Sequence, residues 1–481
     1  MRRPVLYYSL FFGCLLLLLQ ANAQPAYVET NINSAEEPHL VNSLNNLSSP
    51  FRIGKIIIEG NLKTKSYIIE RELPFHKGDS VYLPDLVSGF EVARQQLMNT
   101  RLFNEVVVAL SAFRGYEVDI QIQVKERWYL FPLPYVKAVD RNISEWIKQG
   151  MGVDRINYGF KFNHNNFTGR NDKLRFWLIS GYTKQLQFLY EQPYADKSLK
   201  HGYKVGILYS FLKEVNYATI NNQQAFIDSL GGTKKLYAHL DYTYRPGLRT
   251  FNTVRLAWIR QEVDSQILSI NPHYFNIPQN KISYPEFSYN LQYIHIDYIP
   301  YPLKGWMGET GFLKKGINKN MNMWQWMGKL TYASPLSKKW YFSWQGQFML
   351  RSPSNQPFIN QPLLGYRDYY LRGLDKYVID GLNSGLSRQT LRKEIFTFNL
   401  HANKLSKSHD NIPFRIYAKT FLDLGYASNR INPENSLTNR LLYTYGAGLD
   451  IVSLYDFVLR FDYCFNQLHQ NGLFLRIKSD F

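Results

Sequence analysis

From about residue 152 onward, apolar and polar positions alternate with a period of two, the spacing of strands whose two faces meet different surroundings. Ile156, Tyr158, Phe160 and Phe162 interleave with Asn157, Gly159, Lys161 and Asn163, and Leu174, Phe176 and Leu178 interleave with Lys173 and Arg175. Trp340, Phe342 and Trp344 repeat the pattern. Such segments start near 153, 171, 184, 202, 216, 234, 250, 284, 302, 322, 338, 388, 412, 438, 454 and 471, which predicts 16 strands and no long helix. The last is the clearest: Leu473, Leu475, Ile477, Ser479 and Phe481 share one face, and Phe474, Arg476, Lys478 and Asp480 the other. An even set of alternating strands suits a sheet that closes on itself in lipid, where no edge can stay unpaired.

Residues 51–127 have a different rhythm and predict one compact unit in the order β-α-α-β-β. A strand over 52–59 carries Ile56, Ile57 and Ile58 as a buried run, and Gly60-Asn61 marks a turn. A short helix follows over 64–73, with Thr64 or Ser66 as its cap. Pro84 suits the first turn of a second helix, whose stripe is Leu86, Phe90, Ala93 and Leu97. Val106, Val108 and Leu110 then share a face of one strand, and Val118, Ile120, Ile122 and Val124 alternate with Asp119, Gln121 and Gln123 in the next. Residues 128–151, with Trp128, Pro132 and Pro134, read as a linker, and 24–50 as a flexible leader. Residues 1–23 read as an export signal: Arg2 and Arg3, an apolar run from Leu6 to Leu19, and Ala21-Asn22-Ala23 as a cleavage site.

Composition sharpens this picture. Aromatic residues make up 16% of the chain, with 36 Tyr and 31 Phe, while mean hydropathy is only −0.33. Lipid-facing and lumen-facing residues that alternate along each strand cancel in the average, so a transmembrane barrel reconciles the two numbers. The net charge of +18 then places Lys and Arg in a wet lumen or near anionic head groups; no basic helix or RNA-binding signature points to nucleic acid. With Cys14 inside the export signal, the mature chain keeps Cys464 alone, so no internal disulfide forms. No His-Glu-x-x-His, Gly-x-Ser-x-Gly or Walker loop appears, and His164, His295 and His401 read as lumen or rim residues. The expectation is a non-enzyme with no catalytic residues, no metal and no cofactor.

Three further stretches carry a family resemblance. Ile56-Ile57-Ile58-Glu59-Gly60-Asn61, Ile69-Glu70-Arg71-Glu72-Leu73 and Leu97-Met98-Asn99-Thr100-Arg101-Leu102-Phe103 resemble a POTRA (polypeptide-transport-associated) domain. Leu371-Arg372-Gly373-Leu374 resembles the (V/I)RG(F/Y) loop tip of the BamA-like superfamily of outer-membrane assembly and secretion barrels, with Leu374 in the aromatic position. Phe421-Leu422-Asp423-Leu424-Gly425 resembles that family's aromatic-x-Asp-x-Gly strand motif. The resemblance implies a loop over 352–387 folded into the lumen, with Arg372 meeting Asp423. Strand parity is compatible with this, because Arg415, Tyr417, Lys419, Phe421 and Asp423 share a face that a barrel turns inward.

The expected fold is thus mainly β: one β-α-α-β-β POTRA domain over 51–127, then a C-terminal 16-stranded antiparallel transmembrane β-barrel over 152–481. The expected place is the bacterial outer membrane, with the POTRA domain in the periplasm. Expected partners are outer-membrane lipid, unfolded client or secreted proteins, and periplasmic or lipoprotein subunits. The candidate client-binding edge is the strand over 104–112, with Asn104, Val106, Val108 and Leu110; Phe481 is the candidate C-terminal barrel signal. Leu371, Arg372, Gly373, Leu374, Phe421, Asp423 and Gly425 form the candidate contact between loop and barrel. Insertion of polypeptides is the leading functional expectation, through a weak seam between the strand starting near Gly152 and the last strand, where Gly472 weakens pairing. A secretion pore and a structural or ligand-binding barrel are the alternatives.

Overall fold

The computed structural model describes residues 49–138, 156–366, 368–401, 411–429 and 435–478. The export signal, nearly all of the leader and Phe481 lie outside these residues.

The first domain is built from β1 (Phe51–Glu59), α1 (Ser66–Glu70), β2 (Ser80–Val81), α2 (Leu83–Asn99), β3 (Phe103–Arg114) and β4 (Glu117–Glu126). Its sheet runs in the order β2-β1-β4-β3, with β1 and β4 parallel. The apolar stripe of α2 packs on the sheet as its spacing requires: Leu86, Ala93 and Leu97 are buried against Ile53, Val118, Ile120 and Ile122. Pro84 occupies the first turn of α2.

Three local expectations change. The short helix covers only Ser66–Glu70, and its N-cap is Lys65, without a side-chain cap bond. Thr64 is instead buried, its Oγ1 3.1 Å from the Tyr129 hydroxyl. Ile57 is exposed while Ile56 and Ile58 lean on the core, as pleat alternation dictates for a sheet with one open face. The two-residue strand β2, too short for a periodic signal, covers the outer edge of β1.

The second domain is a continuous 16-stranded antiparallel sheet. Its strands are β5 (Leu130–Ala138), β6 (Ile156–Asn165), β7 (Lys173–Gly181), β8 (Thr183–Gln192), β9 (His201–Ile220), β10 (Gln223–Tyr244), β11 (Thr250–Val263), β12 (Lys281–Ile296), β13 (Gly305–Asn318), β14 (Met321–Ser337) and β15 (Trp340–Ser352). After a loop holding the small pair β16 (Pro362–Leu364) and β17 (Ile379–Asp380) come β18 (Asn383–His401), β19 (Asn411–Ser428), β20 (Leu441–Val452), β21 (Val458–Asn466) and β22 (Asn471–Lys478). A short helix, α3 (Ser265–Ile270), sits between β11 and β12.

The total of 16 agrees with the sequence, but three members differ, one of them β10, which starts at Gln223 and not near 234. No strand begins near 216, because β9 runs unbroken from His201 to Ile220. The first strand is Leu130–Ala138, inside the stretch read as a linker, so the barrel starts ahead of 152. Pro132 and Pro134 read as breakers, but an edge strand tolerates proline wherever its N–H would face away from the neighbour.

Alternation sorts the wall. Leu473, Leu475 and Ile477 are all more than half exposed on the outside, whereas Lys419, Asp423, Asp450 and Asp462 are buried on the inside. The loop over 353–382 reaches strands far apart in the sheet, which requires the sheet to curl around it. Gln356 Nε2 donates to Asn322 O of β14 at 3.0 Å, Arg372 binds Asp423 of β19, and Asp375 binds Arg476 of β22. The ends of the sheet also approach: the Trp128 amide donates to the Tyr455 hydroxyl at 3.1 Å, just before β21.

The first domain docks on turns at the end of the barrel where β5 begins. Arg245, in the turn after β10, places Nη2 2.6 Å from Glu72 Oε2 and also binds Oε1 through Nη1. Tyr194 donates to the same carboxylate at 3.0 Å. Arg127 pairs with Asp456 at 3.0 Å, and Asn99 exchanges bonds with Ile296 O and the Ile299 amide, each at 3.1 Å.

Candidate functional site

Two places in the barrel carry features that packing alone does not require: the inserted loop tip and the free edge of β5.

At the tip, the carboxylate of Asp423 receives three groups of Arg372. The backbone amide donates to Oδ2 at 3.0 Å, Nε to Oδ2 at 2.9 Å and Nη2 to Oδ1 at 2.5 Å. The Asp423 side chain is 0% exposed and that of Arg372 12%. Arg372 also donates to Thr390 Oγ1 at 3.1 Å, and its guanidinium lies 4.0 Å over the Phe421 ring. Such a pair, bidentate and further hydrogen-bonded, has the geometry that offsets the desolvation of two charges.

The other motif residues fit around this contact. Gly373 has φ +88°, a left-handed conformation suited to glycine, and a Cβ there would come within 2.7 Å of Cys464 Cβ. A Cβ on Gly425 would come within 2.8 Å of Leu371 Cδ1, so the glycine of the strand motif makes room for the loop's leucine. Leu371 and Leu374 are buried with Leu363, Leu364, Ile379, Leu386 and Leu442. An aliphatic cluster therefore surrounds Leu374 where the family pattern has an aromatic ring.

The structure adds charges that motif reading missed. Arg476 of β22 donates Nη1 to Asp462 at 2.5 Å and Nη2 to Asp375 at 2.6 Å, tying the loop tip to the last strand. Lys419 bridges Asp450 and Asp462, 2.5 Å from each. Parity had already put Arg476 and Lys419 on polar faces; their partners depend on register between strands, which one strand's pattern does not contain.

At the other end of the sheet, β5 pairs only with β6 among the described residues, and no register joins it to β22. The Asn165 amide donates to Tyr129 O at 2.8 Å. In a regular antiparallel ladder that bond turns the backbone groups of Phe131, Leu133 and Tyr135 toward β6, and those of Leu130, Pro132, Pro134 and Val136 toward the free edge. Two of those four positions have no N–H, and the Leu130 carbonyl is already taken by Trp128 Nε1. The first strand thus offers a poor edge, while β22 contains no proline.

Elsewhere, β3 is the outer strand of the first sheet, so Asn104, Val106, Val108 and Leu110 do lie on an edge strand. The side chain of Val106 is buried in the domain's own core, with Val108 and Leu110 partly so. His164 and His295 stand near strand ends rather than in the lumen: each shares parity with exposed aromatic residues of the outer wall, Phe160 and Tyr289. His401 ends β18. Among the described residues, no three His, Cys, Asp or Glu side chains group as a metal site.

Residues 51–127 match the POTRA family model, described as a surface antigen variable number repeat. Over 125 residues the chain is 31% identical to the outer membrane protein assembly factor BamA of Neorickettsia risticii (strain Illinois), a match spanning 26% of this chain and 15% of that relative's length. Two solved structures share the fold. BamA from Haemophilus ducreyi lacking POTRA domains 1–3 aligns with a TM-score of 0.51 at 16% identity, covering 89% of this chain and 84% of that one. CdiB from Escherichia coli aligns with a TM-score of 0.51 at 13% identity, covering 89% and 75%. The fold and the docked first domain define a POTRA-bearing outer-membrane β-barrel. The chain thus joins a POTRA domain over 51–127 to a barrel that shares the fold of BamA and CdiB, with one POTRA domain in its described residues.

Proposed function

We propose that this protein inserts polypeptides into the outer membrane through the seam between β5 and β22, with the Arg372 loop holding the barrel in register while the seam works. The observation that carries this reading is the free edge of β5, where Pro132 and Pro134 remove two donors that a closing strand would use. A seam short of hydrogen bonds opens at lower cost than any other strand pair in the sheet. The proline-free edge of β22 then offers its backbone to a client strand by β-augmentation. The edge strand β3 of the POTRA domain is a first docking place for the same extended chains.

A secretion pore is the second reading, and the packing of the outer mouth weighs against it. On the side away from the POTRA domain, Val215, Ile259, Ile267, Phe275, Tyr284 and Phe358 form one buried apolar cluster over the barrel. Passage through the lumen requires this cluster and the Arg372–Asp423 contact to come apart together.

The test is reconstitution of the mature chain in liposomes with an unfolded client barrel. Faster client folding than in empty liposomes is expected; an unchanged folding rate contradicts insertion.

A further inference from the structure

We infer that the POTRA loop between β1 and α1, residues 60–65, is a lipid-contacting element that sets Leu62 into the periplasmic leaflet beside the first barrel strand. This rests on the barrel's place in the membrane and not on the insertion reading; it holds equally for a pore.

Leu62 is 96% exposed, the largest value among the exposed large apolar side chains of the described residues. An exposed leucine alone means little. This one sits beside Lys63, whose Nζ lies 2.8 Å from Nε2 of His164. His164 stands on the outer face of the wall, in line with Phe160 and Phe162. The rings form a ladder down that face: centroids are 6.4 Å apart for Phe160 and Phe162, 6.1 Å for Phe162 and His164, and 5.1 Å for His164 and Phe167. The lipid-facing surface is therefore continuous from the barrel wall to the residue next to Leu62.

The loop is held in this place by backbone contacts. The Lys65 amide donates to Gly169 O at 3.0 Å, and a Cβ on Gly169 would lie 2.3 Å from Lys63 O. Two other apolar rings are exposed in the same region, Trp128 at 60% and Phe167 at 42%. Trp128 has the parity of Leu130, which pairs with His164, so it continues the outward row of β5.

The charges match a phospholipid surface. Lys65 and Arg170 are exposed cations, the first in the loop and the second next to Gly169, which the loop contacts. Two nearby acids are turned onto backbone amides: Glu126 accepts from Lys63 N and Thr64 N at 3.0 and 2.6 Å, and Asp172 accepts from Thr168 N at 2.8 Å; the exposed Glu59 accepts from Gln121 Nε2 at 3.0 Å. An apolar tip followed in the same loop by Lys63 and Lys65 suits acyl chains below and phosphates at the surface.

The test places an environment-sensitive fluorophore at position 62 (Leu62→Cys in a Cys464→Ser background) in the full mature chain, reconstituted in phosphatidylethanolamine/phosphatidylglycerol liposomes. A second variant, Val87→Cys on the exposed side of α2 (58% exposed), reports a water-facing POTRA position. Retained heat-modifiable mobility certifies folding of both. The expected result is blue-shifted emission at 62, quenched by phospholipids brominated on their acyl chains, with neither effect at 87. Emission at 62 equal to that at 87 overturns the proposal. So does a blue shift that brominated lipid leaves unquenched, because it places the loop against protein.

Discussion

The inserted loop tip and the free edge of β5 are opposites. At the tip, every polar group of the Arg372–Asp423 contact has partners: two side chains, a backbone amide, Thr390 and the Phe421 face meet within one buried site. At the edge, two of four outward-facing backbone positions have no donor. The same sheet thus holds one place that resists rearrangement and one that permits it. In the proposed insertion, the fixed loop keeps the order of the remaining strands while the seam opens.

The largest effect is expected from breaking the tip. Asp423→Ala leaves the Arg372 guanidinium buried without its anion, which costs about 3–5 kcal/mol. Planar-bilayer recordings should show frequent open events in the variant and few in the parent, and Arg372→Ala combined with Asp423→Ala should recover part of the closed time. Glu72→Ala comes next, at about 2–3 kcal/mol, because Arg245 keeps its bond to Leu248 O at 2.7 Å. Limited proteolysis should then cut between the POTRA domain and the barrel faster than in the parent.

At the seam, Pro132→Val with Pro134→Val restores two donors, each worth about 0.5–1.5 kcal/mol once paired. Client folding in liposomes should slow by roughly fivefold to about 150-fold; an unchanged rate removes the prolines from the account. Gly425→Ala should have the smallest effect, about 1 kcal/mol of overpacking against Leu371, read as a modest fall in the temperature at which the barrel loses its heat-modifiable mobility.

How much of this the sequence revealed follows from what each signal depends on. Period-two alternation depends only on neighbours along one strand, so β6, β7, β15 and β22 were legible. The loop tip was legible because its two motifs carry fixed residue types, even with Leu374 in the aromatic position. The first strand was not, because Pro132 and Pro134 mark a break unless one knows that the strand lies at an edge. The hairpin of β9 and β10 hid its length, since register shifts near Ala225 and Asp228 interrupt an otherwise continuous pairing. Glu72–Arg245 and Arg476–Asp375 join residues 173 and 101 positions apart, and no local pattern pairs them.

The central claim is that the seam is the weak place in an otherwise fully paired sheet. Amide hydrogen exchange on the mature protein in nanodiscs tests it strand by strand. The account predicts rapid exchange of the β22 amides that face away from β21, between Asn471 and Lys478, with β19 protected around Asp423; protection of those amides equal to that of β19 would contradict it.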